Sequence, residues 1–268
     1  LLQARAKEAT VQLIVELNTL VARISKTPDC VLTYRYIGEP VAVLGWSDAA
    51  WANRADGGST GGGLVTIGGI SSLKGGKGPQ NPIAWRTHRL RRVARSSLSA
   101  EVQSLCDNED EVHLLRFSWT ELSGVITNAH EQDKFAAMTP GVMIIDAKSI
   151  YDCVVARTQV ISLTEKRTAL ELLGYLENTR RNGCGTRWVN GESNLSDAMT
   201  KIGADEALRL WISTGQWAII YDSQLMSGRK RRAAGLARGE LPDHNAAVNQ
   251  FLADLDAWKS EYLSSEPT

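Results

Sequence analysis

Four carboxylates stand where the chain could bring acids together. Asp48 lies inside an apolar run, in Trp46-Ser47-Asp48-Ala49. Glu101 comes three residues after Leu98 and four before Leu105, at the border of a helical apolar stripe. Asp146 ends the apolar run Val142–Ile145, and Asp197 opens a late helix-forming segment. Taken singly, each has an ordinary structural use. Asp48 suits a turn or a surface, Glu101 a helix dipole, and Asp146 and Asp197 helix caps. One acid in each of four elements is also what a converging set requires. Two Mg²⁺ ions about 4 Å apart activate a water and stabilise a leaving oxygen on phosphorus. Mg²⁺ takes oxygen ligands, so such a site needs neither Cys nor His, and Mn²⁺ can substitute. Acids gathered without cations are costly, which gives the cluster a reason to bind them.

The elements that would carry these acids follow from periodicity. Residues 4–25 read as a helix, with Val11, Ile14, Leu17, Leu20 and Val21 at helical spacing and Pro28 beyond it. Extended runs cover Val31–Ile37 and Val41–Trp51, a Gly-rich stretch holds Leu64–Ile67, and a further run covers Pro82–Arg86. These predict an antiparallel meander. Ser96 or Ser97 caps a long helix with the stripe Leu98, Val102, Leu105, Val112, Leu115, Trp119 and Leu122, ended by Gly124. Val142–Ile145 has the composition of a strand buried on both faces, and Asp146 stands at its C-terminal end, where open α/β sheets place ligands. A short helix over Ala147–Val155 follows. Ser162 and Glu165 form a capping-box pattern for the next helix, which carries Ala169, Leu172, Leu173 and Leu176 and ends near Gly183. Thr186–Val189 is a fifth strand, and Ser193 caps another helix. This alternation predicts an α/β fold, a mixed sheet of three antiparallel strands and then parallel strands, with helices on its faces.

Composition narrows the partners. The 268 residues hold 30 Lys+Arg and 30 Asp+Glu, so a wholly basic nucleic-acid sleeve is excluded but a local basic face is not. Such a face is offered by Arg86, Arg89, Arg91, Arg92 and Arg95, just ahead of Glu101. It reads as a phosphate-binding rim or as a solvated loop. Asp107, Glu109, Asp110 and Glu111 read as a solvated helix face. Four Cys without a CxxC pair fit a reducing compartment. No apolar run nears the roughly 18 residues that span a bilayer. The first residue is not Met, which suggests a piece of a longer product. Gly57-Gly-Ser-Thr-Gly61 has nucleophile-elbow spacing but no following helix. The glycines between 57 and 78 fit neither a Walker A loop nor a dinucleotide fingerprint. Cys106 and His113 share a helix without the further ligands zinc needs. Arg229–Arg232 form a basic cluster, and Val248, Phe251, Leu255, Trp258 and Tyr262 share one face of a final amphipathic helix.

Several of these segments resemble the ribonuclease H domain of copia-type retrotransposon (retrovirus-related Pol) polyproteins. They are Gly45-Trp-Ser-Asp-Ala-Ala-Trp51, Gly58-Ser-Thr-Gly61, Ile83-Ala-Trp-Arg86, Ser96-Ser-Leu-Ser-Ala-Glu101, Ile145-Asp-Ala-Lys-Ser149, Trp188-Val189 and Leu195-Ser-Asp-Ala-Met-Thr-Lys201. The resemblance runs from about residue 41 to 202. It implies a ribonuclease H-like fold, with Asp48, Glu101, Asp146 and Asp197 as the catalytic and metal-binding set for two Mg²⁺ ions. It further implies cleavage of the RNA strand of RNA–DNA hybrids beside a reverse transcriptase of the same polyprotein. The domains would then be 1–37, the end of the reverse transcriptase; 38–227, the ribonuclease H-like domain; and 228–268, a basic linker and amphipathic helix. The implied location is intracellular, in a cytoplasmic particle or the nucleus, with no membrane. The chain departs from the family at Gly57-Gly58, where the family has Arg-Arg, and at Ala147, where it has Asn. Leu163–Arg167 lacks the family's His. The alternatives are a catalytically inactive nucleic-acid-binding or structural relic, and an integrase-type nuclease on the same fold. Integrases of retroviral type carry their Glu late in the chain, whereas Glu101 is second of the four.

Overall fold

The structure, a computed structural model, describes residues 10–26, 31–156, 160 and 163–220. The chain divides into two compact units, Leu1–Thr33 and Tyr34–Thr268. In the first, helix α1 (Val11–Ile24) is capped by Thr10, whose Oγ1 accepts from the Leu13 N–H at 3.2 Å. None of its residues is buried.

In the second unit, β1 (Val41–Ala50), β2 (Thr60–Gly69) and β3 (Gly78–Arg89) form the expected antiparallel meander. β4 (Gly141–Ile145) and β5 (Cys184–Trp188) add to it in parallel, and β6 (Gln216–Trp217) closes the far edge. The strand order is β5-β4-β1-β2-β3-β6, the mixed sheet of antiparallel and then parallel strands predicted for the chain. Helices cover both faces: α2 (Ser97–Leu122), α3 (Gln132–Ala137), α4 (Lys148–Val155), α5 (Lys166–Asn182), α6 (Asp197–Thr200) and α7 (Glu206–Thr214).

β1 shows why both faces must be covered. Val43 packs on one side with Val102, Leu105 and Val112 of α2, while Ala42, Leu44 and Trp46 pack on the other with Leu195, Ala207 and Trp211. Strand alternation sends neighbours to opposite faces, and every one of these residues is apolar. In β3, Pro82 sits where the ladder to β2 shifts register, a place that tolerates the missing N–H.

Five expectations need correction. Val31–Ile37 joins no strand; Asn81 instead holds this segment by exchanging two 2.8 Å bonds with the Arg35 backbone. The stripe of α2 stops short of Leu122, which is exposed. Glu109 is buried, not solvated, and accepts from Asn182 Nδ2 at 2.9 Å. Helix α5 starts at Lys166 with Glu165 in the N-cap place, and Ser162 lies outside the described residues. Ser193 ends a short 3₁₀ turn, so the helix after β5 begins only at Asp197, behind Ser196. The basic cluster Arg229–Arg232 and the apolar face from Val248 to Tyr262 also lie outside the described residues.

Candidate metal centre

Parallel pairing of β1 with β4 brings the first two acids together. Trp46 pairs with Ile144, and Asp48 and Asp146 each follow two residues later on their own strands. The third acid comes from the start of α2. Ser96 caps that helix, its Oγ accepting from the Ser99 N–H at 3.1 Å, so Glu101 lies in the second turn. Ser104, one turn further, donates to the Asp48 carbonyl at 2.8 Å, and Asn108 donates to the Trp46 carbonyl at 3.0 Å. These buried polar side chains fix α2 against β1 beside the acids.

The run Gly61-Gly62-Gly63 lets helices approach β2 from both sides. A Cβ on Gly63 would stand 2.6 Å from Asn108 Oδ1 of α2. A Cβ on Gly62 would stand 2.7 Å from both Met199 Cβ and Thr200 Cγ2 of α6. A bare strand is therefore what admits α2 and α6 together.

Carboxylate oxygens of Asp48, Glu101 and Asp146 lie within 4.8 Å of one another. Asp48 is fully buried, and the other two are partly buried. Burial pushes the Asp48 carboxyl up to about 7, with the Asp146 charge adding to it. Burial, reinforced by Asp48 and Asp146, pushes Glu101 up to about 9. Asp146 is raised as well, by burial and then by Asp197. Three crowded, desolvated acids thus resist full ionisation.

Asp197, the fourth predicted ligand, lies outside that threefold group. It stands near Asp146, since a Cβ on Gly191 would be 3.1 Å from Asp146 Oδ2 and 3.9 Å from Asp197 Oδ2. Its Oδ1 accepts from Lys201 Nζ at 2.6 Å, and the same ammonium donates to Asp48 Oδ1 at 3.0 Å. The other oxygen of Asp48 accepts from the Thr200 hydroxyl. Burial alone would lower Lys201, but Asp48, Asp197 and Asp146 together hold it above its ordinary value. Lys201 and Thr200 went unrecognised in the sequence as members of the site. The available signal was spacing: Lys201 follows Asp197 by four residues, one helical turn.

The donor set fits a hard divalent ion. It offers only carboxylate oxygens, crowded enough to hold surplus negative charge, and no Cys or His. Asp48, Glu101 and Asp146 could hold one ion, while Asp197 is linked to Asp48 through the Lys201 ammonium.

All five predicted rim arginines are exposed, on β3 or in the loop between β3 and α2. Arg89 pairs with Asp56 at 3.0 Å, and Arg92 pairs with Glu171. Arg86 and Arg91 stand close enough to Asp107 to help hold its carboxyl below the usual range, though a hydrogen bond from His88 does more. Arg92 and Arg95 line a pocket of about 330 Å³ with Lys166 and Arg167.

No protein-family model matches the chain, and no curated protein matches its sequence. Among solved structures, the chain is similar to RNase H1 from the halophilic archaeon Halobacterium salinarum. That similarity has 14% identity and a TM-score of 0.36, over 62% of this chain and 97% of the other. It is also similar to the N-terminal RNase H domain of rv2228c from Mycobacterium tuberculosis, solved as a fusion with maltose-binding protein. There the identity is 15% and the TM-score 0.38, over 63% of this chain and 98% of the other.

Proposed function

We propose that this chain is a metal-dependent endonuclease that cleaves the RNA strand of RNA–DNA hybrids inside the cell. In this reading it is the ribonuclease H domain of a copia-type retroelement polyprotein and acts on hybrids made by the reverse transcriptase region of that polyprotein. The observation that carries the reading is the convergence of Asp48, Glu101 and Asp146, from β1, α2 and β4, within 4.8 Å. Among the described residues no helix is long and apolar enough to cross a membrane.

The chain's own residues have separable roles in this chemistry. Asp48, Glu101, Asp146 and Asp197 would hold Mg²⁺ or Mn²⁺, which would supply Lewis acidity for water activation and leaving-group stabilisation. Trp188 donates from its indole Nε1 to the Asp146 carbonyl at 2.9 Å, fixing the end of β4 that presents this acid. Arg86, Arg89, Arg91, Arg92 and Arg95 bind hybrid phosphates without reading bases.

A labelled RNA–DNA hybrid tests the reading. Cleavage by the wild-type chain in Mg²⁺ or Mn²⁺ is expected, and Asp146→Asn should reduce it by two orders of magnitude or more, on the order of the loss expected when ion-held charge is removed. Hybrid binding should stay near wild type, because it rests on the arginine rim. One observation favours a second reading, the inactive nucleic-acid-binding relic: both oxygens of Asp48 already have protein partners in Thr200 and Lys201. Intact binding without cleavage in either ion would select that relic.

A further inference from the structure

We propose that Lys201 is a tethered counter-cation that occupies the second-ion position, so that this centre fills in two unequal steps. The inference rests on the metal-centre reading above and deepens it. The first ion site needs only Asp48, Glu101 and Asp146, whose oxygens already converge. Asp197 is different. It is tied to Lys201 at 2.6 Å, and through the same ammonium at 3.0 Å to Asp48. A cation between Asp48 and Asp197 is where a second ion shared by these acids would have to sit, so an incoming ion and the ammonium compete for the same oxygens.

The fold lets Lys201 leave as well as stay. Its side chain is 42% exposed, whereas that of Asp48 is wholly buried, so the ammonium can swing to solvent while the acid cannot follow. Helix α6 ends at Thr200, and Lys201 is already extended backbone, so the swing needs only side-chain rotation. Thr200 remains on Asp48 in either state, which keeps that carboxylate oriented while its other oxygen changes partner. Once displaced, Lys201 stands at the mouth of the cluster, where a hybrid's phosphates would arrive. It is a positioning residue: it acts on ion occupancy rather than on the reacting atoms.

Mn²⁺ binding to the intact chain, followed by electron paramagnetic resonance and calorimetry without substrate, tests this. The wild type should take one ion and then a second more weakly. Lys201→Met should tighten the second by about tenfold or more, since a unit charge a few ångströms from a divalent ion is removed. Lys201→Arg keeps the cation and should behave as wild type. Identical isotherms for wild type and Lys201→Met, or weaker binding in the variant, overturn the proposal. Nitrogen NMR of the Lys201 ammonium in the wild type supplies a measurement that needs no variant. Followed with diamagnetic Mg²⁺, its signal should change more at the second ion than at the first, and a signal indifferent to both overturns the proposal as well. If no form of the chain binds a divalent ion, the metal-centre reading fails with it. If wild type binds two ions equally and Lys201→Met alters neither, the metal centre stands and only the Lys201 role falls.

Discussion

Glu101 and Asp48 are both strongly affected by their surroundings. The Glu101 carboxyl is pushed up to about 9 and that of Asp48 to about 7, from ordinary values of 4.5 and 3.8. Burial is the main cause for both, and the neighbouring carboxylates add to it. Between the ordinary and the raised values, the folded chain binds more protons than the unfolded chain. Stability of the metal-free protein therefore falls as pH rises through that window. In the proposed metal centre divalent ions would replace those protons, so ion affinity would rise over the same window. Thermal melts in a chelator from about pH 5 to about pH 9 should show a falling Tm, and Mg²⁺ should flatten the fall. A metal-free Tm that rises steadily toward pH 9 would mean that these acids are not crowded in solution.

At the scale of elements, the glycine run of β2 does the positioning. Gly62→Ala puts a methyl group against Met199 and Thr200 and should push α6, with Asp197 and Lys201, away from the sheet. The expected cost is about 1–3 kcal/mol in a urea melt, as for overpacking in a core. Gly174→Ala makes the contrast, because a Cβ there meets nothing within 4 Å and the residue is in the interior of α5. That change should stabilise by up to about 1 kcal/mol through helix propensity. Equal effects from the two substitutions would remove the close-approach argument.

The same elements show what periodicity could and could not reveal. β4 announces itself because its buried positions are apolar, and β1 and α5 do so through apolar residues such as Val43, Leu44, Ala169 and Leu172, although both also bury polar ones. In α2 the buried set also includes Gln103, Ser104, Asn108, Glu109 and Arg116. Polarity there marks internal hydrogen bonds rather than water, which is why Glu109 reads as solvated. Val31–Ile37 has strand composition, but composition does not say whether a ladder partner exists. Three of the four predicted acids converge because each sits at a recognisable element end or stripe border. Thr200 and Lys201 stayed hidden because their role depends on α6 meeting β1, an encounter between residues about 150 positions apart in sequence.

For the whole molecule, the charge balance is even, so the proposed nucleic-acid affinity has to come from local arrangement. The rim arginines are unequal in this respect. Arg89 and Arg92 must give up Asp56 and Glu171 before they meet a phosphate in full. Replacing Arg91 and Arg95 together with Ala should lower hybrid affinity alike on unrelated sequences. It should also reduce the slope of log K against log salt by about one for each phosphate that is no longer neutralised. Replacing Arg89 or Arg92 alone should change that slope less. An unaltered slope in the double variant would leave the rim as a solvated loop.

Arg116 stands at the other end of β4 from Asp146. Its guanidinium is fully buried and donates to the Thr139 carbonyl at 2.7 Å, to Asn182 Oδ1 at 3.1 Å and to the Asn182 carbonyl at 2.7 Å. Its side chain also fills the space a Cβ on Gly141 would need. Between these ends β4 is Gly-Val-Met-Ile-Ile, buried on both faces, so no alternation of polar and apolar residues tells it how far to slide. Slippage by one residue would strand a buried cation at the head of the strand and move Asp146 out of line with Asp48 at its tail. Arg116 thus acts as the index mark of an otherwise unmarked ruler, and the alignment of two acids on neighbouring strands is set in part at the end of the sheet farthest from them.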